Sequence, residues 1–311
     1  MPVLNSNVRR WTQVTPGIGA QAGQGAGLTT LPHWPWADEW ELGQNPVFER
    51  FGGAFGGVHL PRGARIDTHD EPGGSMLLAT TEANLDLLLP WITQGSFDGG
   101  GNLSYQTGTP FTYFTIAERD HPSGRDRRVI DALPTVAVLR SGTATDGILK
   151  LGIEYFGEDF DDDAAGALTF TQSGPVDQAK FHHHLNVATD LVTGSGIGAA
   201  NITLRLPAGF FPWLHNDGFP LGRKEGELNI TGAIEGLWSD ASNALRQLTQ
   251  NKDWNQLRFR WTSQATPAVV LTITLNDVVF LDGLSGGWSG RRYAPLRAQF
   301  TNFGVPIINM V

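Results

Sequence analysis

Cysteine is absent from the 311-residue chain, which excludes a disulfide framework and any cysteine-based zinc or redox site. Positive charge is scarce. Lysine and arginine number 22 against 31 aspartates and glutamates, for a formal net charge of −9 and a pI near 5.3. A protein that grips nucleic acid through its phosphates needs clustered cations, and an acidic surface repels DNA. Long apolar runs are also missing: no stretch approaches the roughly 18 residues of a membrane helix. The opening Met1-Pro-Val-Leu-Asn-Ser-Asn-Val-Arg-Arg lacks the apolar region of an export signal. The expectation is a protein without a membrane anchor, made and assembled in the cytoplasm.

Hydrophobic residues make up 40% of the chain and aromatics 10%, enough to build a genuine core. The 39 glycines and 18 prolines point to many turns between short strands. The fold class expected is mainly β.

Several local patterns imitate catalytic or ligand sites. Gly283-x-Ser285-x-Gly287 has the spacing of the nucleophile elbow of serine hydrolases. That elbow needs a helix after the serine and a histidine further on. Here Gly290 and Pro295 interrupt any such helix, and the last histidine, His215, lies well upstream. A hairpin turn is the better reading, no catalytic residue is assigned, and Ser285→Ala is expected to be silent. In Phe181-His-His-His-Leu, His182 and His184 share one face of a strand, but no third ligand accompanies them and no metal is expected. Val192-Thr-Gly-Ser-Gly-Ile-Gly imitates a dinucleotide loop. Ile202, Leu204 and Leu206 then alternate with Thr203 and Arg205, so a strand stands where the phosphate-binding helix belongs. Glu158-Asp-Phe-Asp-Asp-Asp lacks the closing bidentate glutamate of a calcium loop and reads as an acidic connector. No two carboxylates can be placed across a cleft, so the 10 tryptophans are assigned to core and interface rather than to glycosidase chemistry. The chain is expected to be no enzyme and to need no cofactor.

The strongest organisational signal is an internal repeat. A first copy opens with the strand Gly74-Ser-Met-Leu-Leu-Ala-Thr. It continues through a helix in which Leu85, Leu88, Leu89 and Ile92 form one stripe, with Asn84 or Thr81 as N-cap and a kink or early end at Pro90. Strands follow at Phe111 to Ala117, Pro134 to Leu139 and Ile148 to Phe156. A second copy opens at Gly226-Glu-Leu-Asn-Ile-Thr-Gly-Ala-Ile, with a helix from Ser239 to Gln250 and strands at Leu257 to Trp261, Leu271 to Leu281 and Arg292 to Phe300. The organisation expected is an extended arm over residues 1–45, a first β-sandwich repeat over 46–172 and a second over 173–311, each with a short flanking helix.

The "GELNITGAIEG" strand at Gly226, its earlier equivalent "GSMLLATTEANLDLLLPWITQ", and "PTVAVLRSGTATDGILKLGIEYFGED" from Pro134 to Asp159 resemble the tail tube proteins of long-tailed bacteriophages. The resemblance runs from about Pro46 to the end. It implies a β-sandwich flanked by a helix, rings stacked into a tube, and no catalytic residues. Most members supply one such fold to a hexameric ring, whereas a chain with two copies would close a trimeric pseudo-hexamer. The partners implied are other copies of the chain, further tail proteins at the tube ends, and the tape measure protein and DNA within the lumen; the location implied is the virion tail. Carboxylates facing the channel would let DNA slide without sticking. Two other classes fit the composition: a tail-tip or capsid decoration protein, and a carbohydrate-binding β-sandwich.

The arm carries Trp11, Leu28, Leu31, Trp34, Trp36 and Trp40 in a segment with no sustained period. Such a segment is not expected to bury these side chains alone, so they are expected to form an assembly interface with a neighbouring subunit or ring.

Overall fold

Alternating apolar and polar residues dominate the architecture. The computed structural model describes residues 14–55, 58–105, 111–121, 124–162, 168–172, 180–182, 188–189, 199–206, 211–216, 219–224, 229–237, 255–281 and 295–311. The first half contains β1 (Val14–Ala20), β2 (Thr30–Leu31), β3 (Ala37–Phe55), β4 (Val58–Ala79), α1 (Glu82–Thr93), β5 (Phe114–Asp120), β6 (Arg125–Gly142), β7 (Lys150–Phe156), β8 (Asp159–Asp162) and β9 (Thr169–Phe170). The second contains β10 (Phe181–His182), β11 (Ala188–Thr189), β12 (Ala199–Arg205), β13 (Phe211–Asn216), β14 (Phe219–Lys224), β15 (Thr231–Leu237), β16 (Asn255–Ser263), β17 (Val270–Phe280), β18 (Pro295–Asn302) and β19 (Ile307–Met310). The fold is mainly β.

Fifteen strands join one sheet whose longest path runs β10-β16-β17-β18-β15-β12-β6-β7-β4-β3. The first half contributes β6-β7-β4-β3, with β5 on the other side of β6 from β7, β1 on β5, and β8 on β6. The second contributes β16-β17-β18-β15-β12, with β10 and β11 on β16 and β19 on β17. The halves are joined by β12 and β6, which pair antiparallel from Asn201 opposite Gly142 to Arg205 opposite Val138. One hydrophobic core runs through both, with Phe181, Trp261, Ile202 and Leu204 of the second half packed in the same cluster as Leu139, Leu149 and Trp91 of the first. The Trp261 indole N–H donates to Ser141 Oγ at 3.0 Å, closing that buried seam with a satisfied polar pair.

The helix α1 forms where the stripe predicts it, and it buries Leu85, Leu88, Leu89 and Ile92. Thr81 caps it by accepting from the Asn84 N–H. Pro90 does not end it. The lost amide costs one backbone bond, but Gln94 takes the left-handed conformation (φ 54°) and its N–H donates to the Pro90 carbonyl, closing the helix in register. The expected second helix, Ser239 to Gln250, lies outside the described residues.

The expected extended arm is corrected by the structure from Val14 onward. β1 pairs along its whole length with β5, Ile18 is buried in the main core, and Leu31 packs with Ala117 and Leu168. Its Thr15, Gly17 and Gly19 alternate with larger residues in a way that periodicity alone did not register. Gly17 and Gly19 are required by close approach: a Cβ on either would run into Leu31 or into Leu28 and Pro32. The expected acidic connector is also corrected, because Asp159–Asp162 is strand β8. Arg127 and Arg128 on β6 stand opposite Asp162 and Asp161, and Arg128 pairs with Asp161 at 3.0 Å, so opposite charges select the strand pairing.

Candidate assembly surfaces

Residue by residue, the arm's side chains mostly face their own chain. Leu31 is 1% exposed and so is closed to a partner as the subunit stands. Leu28 is half-buried; its N–H donates to Thr115 Oγ1 and its carbonyl accepts from Arg128. Trp34 and Trp36 are half-buried as well. The Trp34 backbone N–H donates to Gln172, and the Lys180 ammonium stands 4.1 Å from the centre of the Trp36 ring. Trp11 lies outside the described residues.

The solvent face of the large sheet is built by the alternation that buries Met76, Leu78, Leu151, Ile153, Leu204 and Ile234 on the other side. It presents Glu39, Glu41, Glu154 and Glu235 together with Arg140, Lys150, Arg205 and Arg297. Lys150 pairs with Asp38 at 3.0 Å. Both signs alternate across this face, so it offers neither a cationic stripe to phosphates nor a purely acidic wall. At its rim, Trp40 packs against the core while its indole N–H, buried, has no partner among the described residues.

A network that the sequence did not reveal ties the first half together. Asp131 sits in β6 at positive φ (56°), where the strand changes partners. Its carboxylate accepts from the Gly25 N–H at 2.9 Å and from Gln21 Nε2 at 3.0 Å, while its own N–H donates to Gln21 Oε1. Burial pushes its pKa up to about 6, against the pull of the Gly25 N–H, and the neighbouring Glu158 adds to the rise. A lone acid inside the apolar run Val129-Ile-Asp-Ala-Leu133 is the signal that could have exposed this bulge.

Among the described residues no three His, Asp or Glu side chains are grouped to hold a metal. His182 is half-buried on β10, and His183 and His184 lie outside the described residues, as do Ser285 and residues 192–198. Among the described residues, a hydroxyl and an imidazole meet where Thr15 Oγ1 lies 2.6 Å from His121 Nε2. Thr15 is 5% exposed within the β1–β5 pairing and His121 is exposed, so the contact fastens β1 to the turn after β5. His33, whose pKa is lowered by burial, likewise ties its segment to the start of α1 through Asn84 Oδ1. Large apolar side chains also stand exposed: Leu281, Phe303, Val305, Ile307 and Val311. No helix among the described residues is long and apolar enough to cross a membrane.

Neither a protein-family model nor a curated protein matches this sequence.

Proposed function

We propose that this chain is a structural virion protein of the tail-tube type, in which two equivalent halves per chain let three chains close a pseudo-hexameric ring that stacks into a DNA-conducting tube. The observation that carries the reading is the matching strand order of the halves, β5-β6-β7-β4-β3 and β16-β17-β18-β15-β12, fused into one sheet by β12 on β6. The accessory strands correspond as well: β1 with β10 and β11, and β8 with β19. Trp40, Met76, Ile153 and Ala137 form a row across the first half, as Leu204, Gly232, Phe300 and Phe280 do across the second. The displacement that carries Met76 onto Gly232 also carries Ile92 onto Leu248 and Thr93-Gln94 onto Thr249-Gln250. In the first half that Thr-Gln pair fastens the helix end to the strand that follows, because Gln94 donates to Trp91 O and accepts from the Thr112 N–H.

Under this reading the first unit begins at β1, and the unmatched arm shrinks to the residues before it. The alternating charges of the sheet face suit a wall past which DNA moves, since no cluster of cations holds the phosphates. Negative-stain microscopy of the purified chain tests the proposal. Rings, stacked or single, or tubes with a central lumen are expected; a monodisperse monomer at high protein concentration would refute it.

A further inference from the structure

Among the described residues the fused sheet leaves an edge open along β3 and another, shorter one at the end of β17. Among the described residues nothing pairs with β3 on the side away from β4, and nothing pairs with Val279–Leu281 on the side away from β18, beyond the place where β16 stops opposite Val278. Unpaired strand edges demand cover. The chain has already solved this problem once internally, where the edge strand β12 of one half covers the continuation of β6 in the other. In the row correspondence, Arg205 of β12 matches Glu41 of β3, and Val138 of β6 matches Leu281.

We propose that β3 of one chain pairs antiparallel with the Val279–Leu281 edge of a second copy of this chain, Glu41 opposite Leu281, in the register that sets Arg205 opposite Val138 inside the chain. Three observations select this occupant. Leu281 is 59% exposed, although its N–H already donates to Gln299 in the sheet, so its apolar side chain is open to a partner. Two β3 edges meeting each other would set the exposed Glu39 and Glu41 against like charges, which opposes self-pairing. The Val279–Leu281 edge carries no charge. A contact between two different edges is head-to-tail and propagates, closing into a ring if the rotation allows. The inference rests on the equivalence of the halves proposed above.

The absence of cysteine makes the joint directly testable. Inside the chain, Leu206 N–H donates to Ala137 O, so Arg205 and Val138 form the closer, non-hydrogen-bonded kind of pair, whose Cβ separation accepts a disulfide. A Val138→Cys, Arg205→Cys variant is the internal control and should form its bridge within one chain. Glu41→Cys and Leu281→Cys, mixed and oxidised, should give covalent dimers between chains, and neither variant alone should do so. In unmodified protein the Leu42 and Phe280 amides, which this register turns toward the joint, should gain protection from hydrogen exchange on assembly. Dimers from Glu41→Cys alone, or assembly without either cross-link or protection, would overturn the joint. Rings seen by microscopy in that second case would leave the tube reading standing. Cross-links without rings would keep the joint and sink the tube.

Discussion

Asp131 is the residue whose chemistry the fold alters most usefully. Burial raises its pKa to about 6 from an ordinary 3.8, so the fold favours the protonated carboxyl. Its stabilising contribution is present in full below about pH 4 and is lost as pH rises through 6. Asn at this position stays neutral, tolerates the positive φ and can still accept from Gly25. The melting temperature of Asp131→Asn relative to wild type should therefore climb between pH 4 and 6, by the equivalent of about 1 kcal/mol once solvent screening around Glu158 is allowed for. A difference that is flat with pH would contradict this. Gly74 makes a second case. A Cβ there would strike the Glu41 carbonyl and the Tyr155 hydroxyl that donates to it, so Gly74→Ala should cost roughly 1–3 kcal/mol in denaturant unfolding. At Gly43 a Cβ meets nothing within 4 Å, and Gly43→Ala should be close to neutral. The role of Gly74 is not legible in the sequence, where it looks like the start of a strand, because its constraint comes from Tyr155, distant along the chain.

At the scale of elements, the legible features are those set by local chemistry. The stripe of Leu85, Leu88, Leu89 and Ile92 specifies α1, and alternation places β5, β7, β16, β17 and β18 to within a few residues, whereas β6 runs from Arg125 to Gly142, well beyond the expected Pro134 to Leu139. What escaped notice depends on long-range partners. β1 contains Pro16, Gly17 and Gly19, poor strand formers, and becomes a strand because β5 offers a ladder and Leu31 and Pro32 leave no room for larger side chains. β3 and β4 extend far beyond the expected strand at Gly74, pairing across Pro46 and Pro61 through register shifts. Removing residues 1–36 should accordingly strip β1, uncover Ile116 and Ala117, and lower the melting temperature by more than about 10 °C or abolish cooperative melting. A chain beginning at Val14 keeps all these contacts and should melt well above the one that lacks residues 1–36. Equal stability of the two truncations would show that β1 contributes little.

For the whole molecule, the net charge of −9 suggested a more uniformly acidic face than the sheet carries, because Arg140, Lys150, Arg205 and Arg297 lie among the glutamates. In the sequence the proposed repeat rests on element order alone. Side chains at corresponding positions differ, as Met76 and Gly232 do, so the proposed correspondence rests on strand register rather than residue identity. The equivalence of the halves, and the ring of three chains that follows from it, is the central proposal, and native mass spectrometry combined with two-dimensional averages of the purified assembly tests it most directly. Closed particles with the mass of three chains, or stacks of them, are expected, each showing six similar lobes around a hole. A ring of six chains, a closed dimer or a persistent monomer would contradict it.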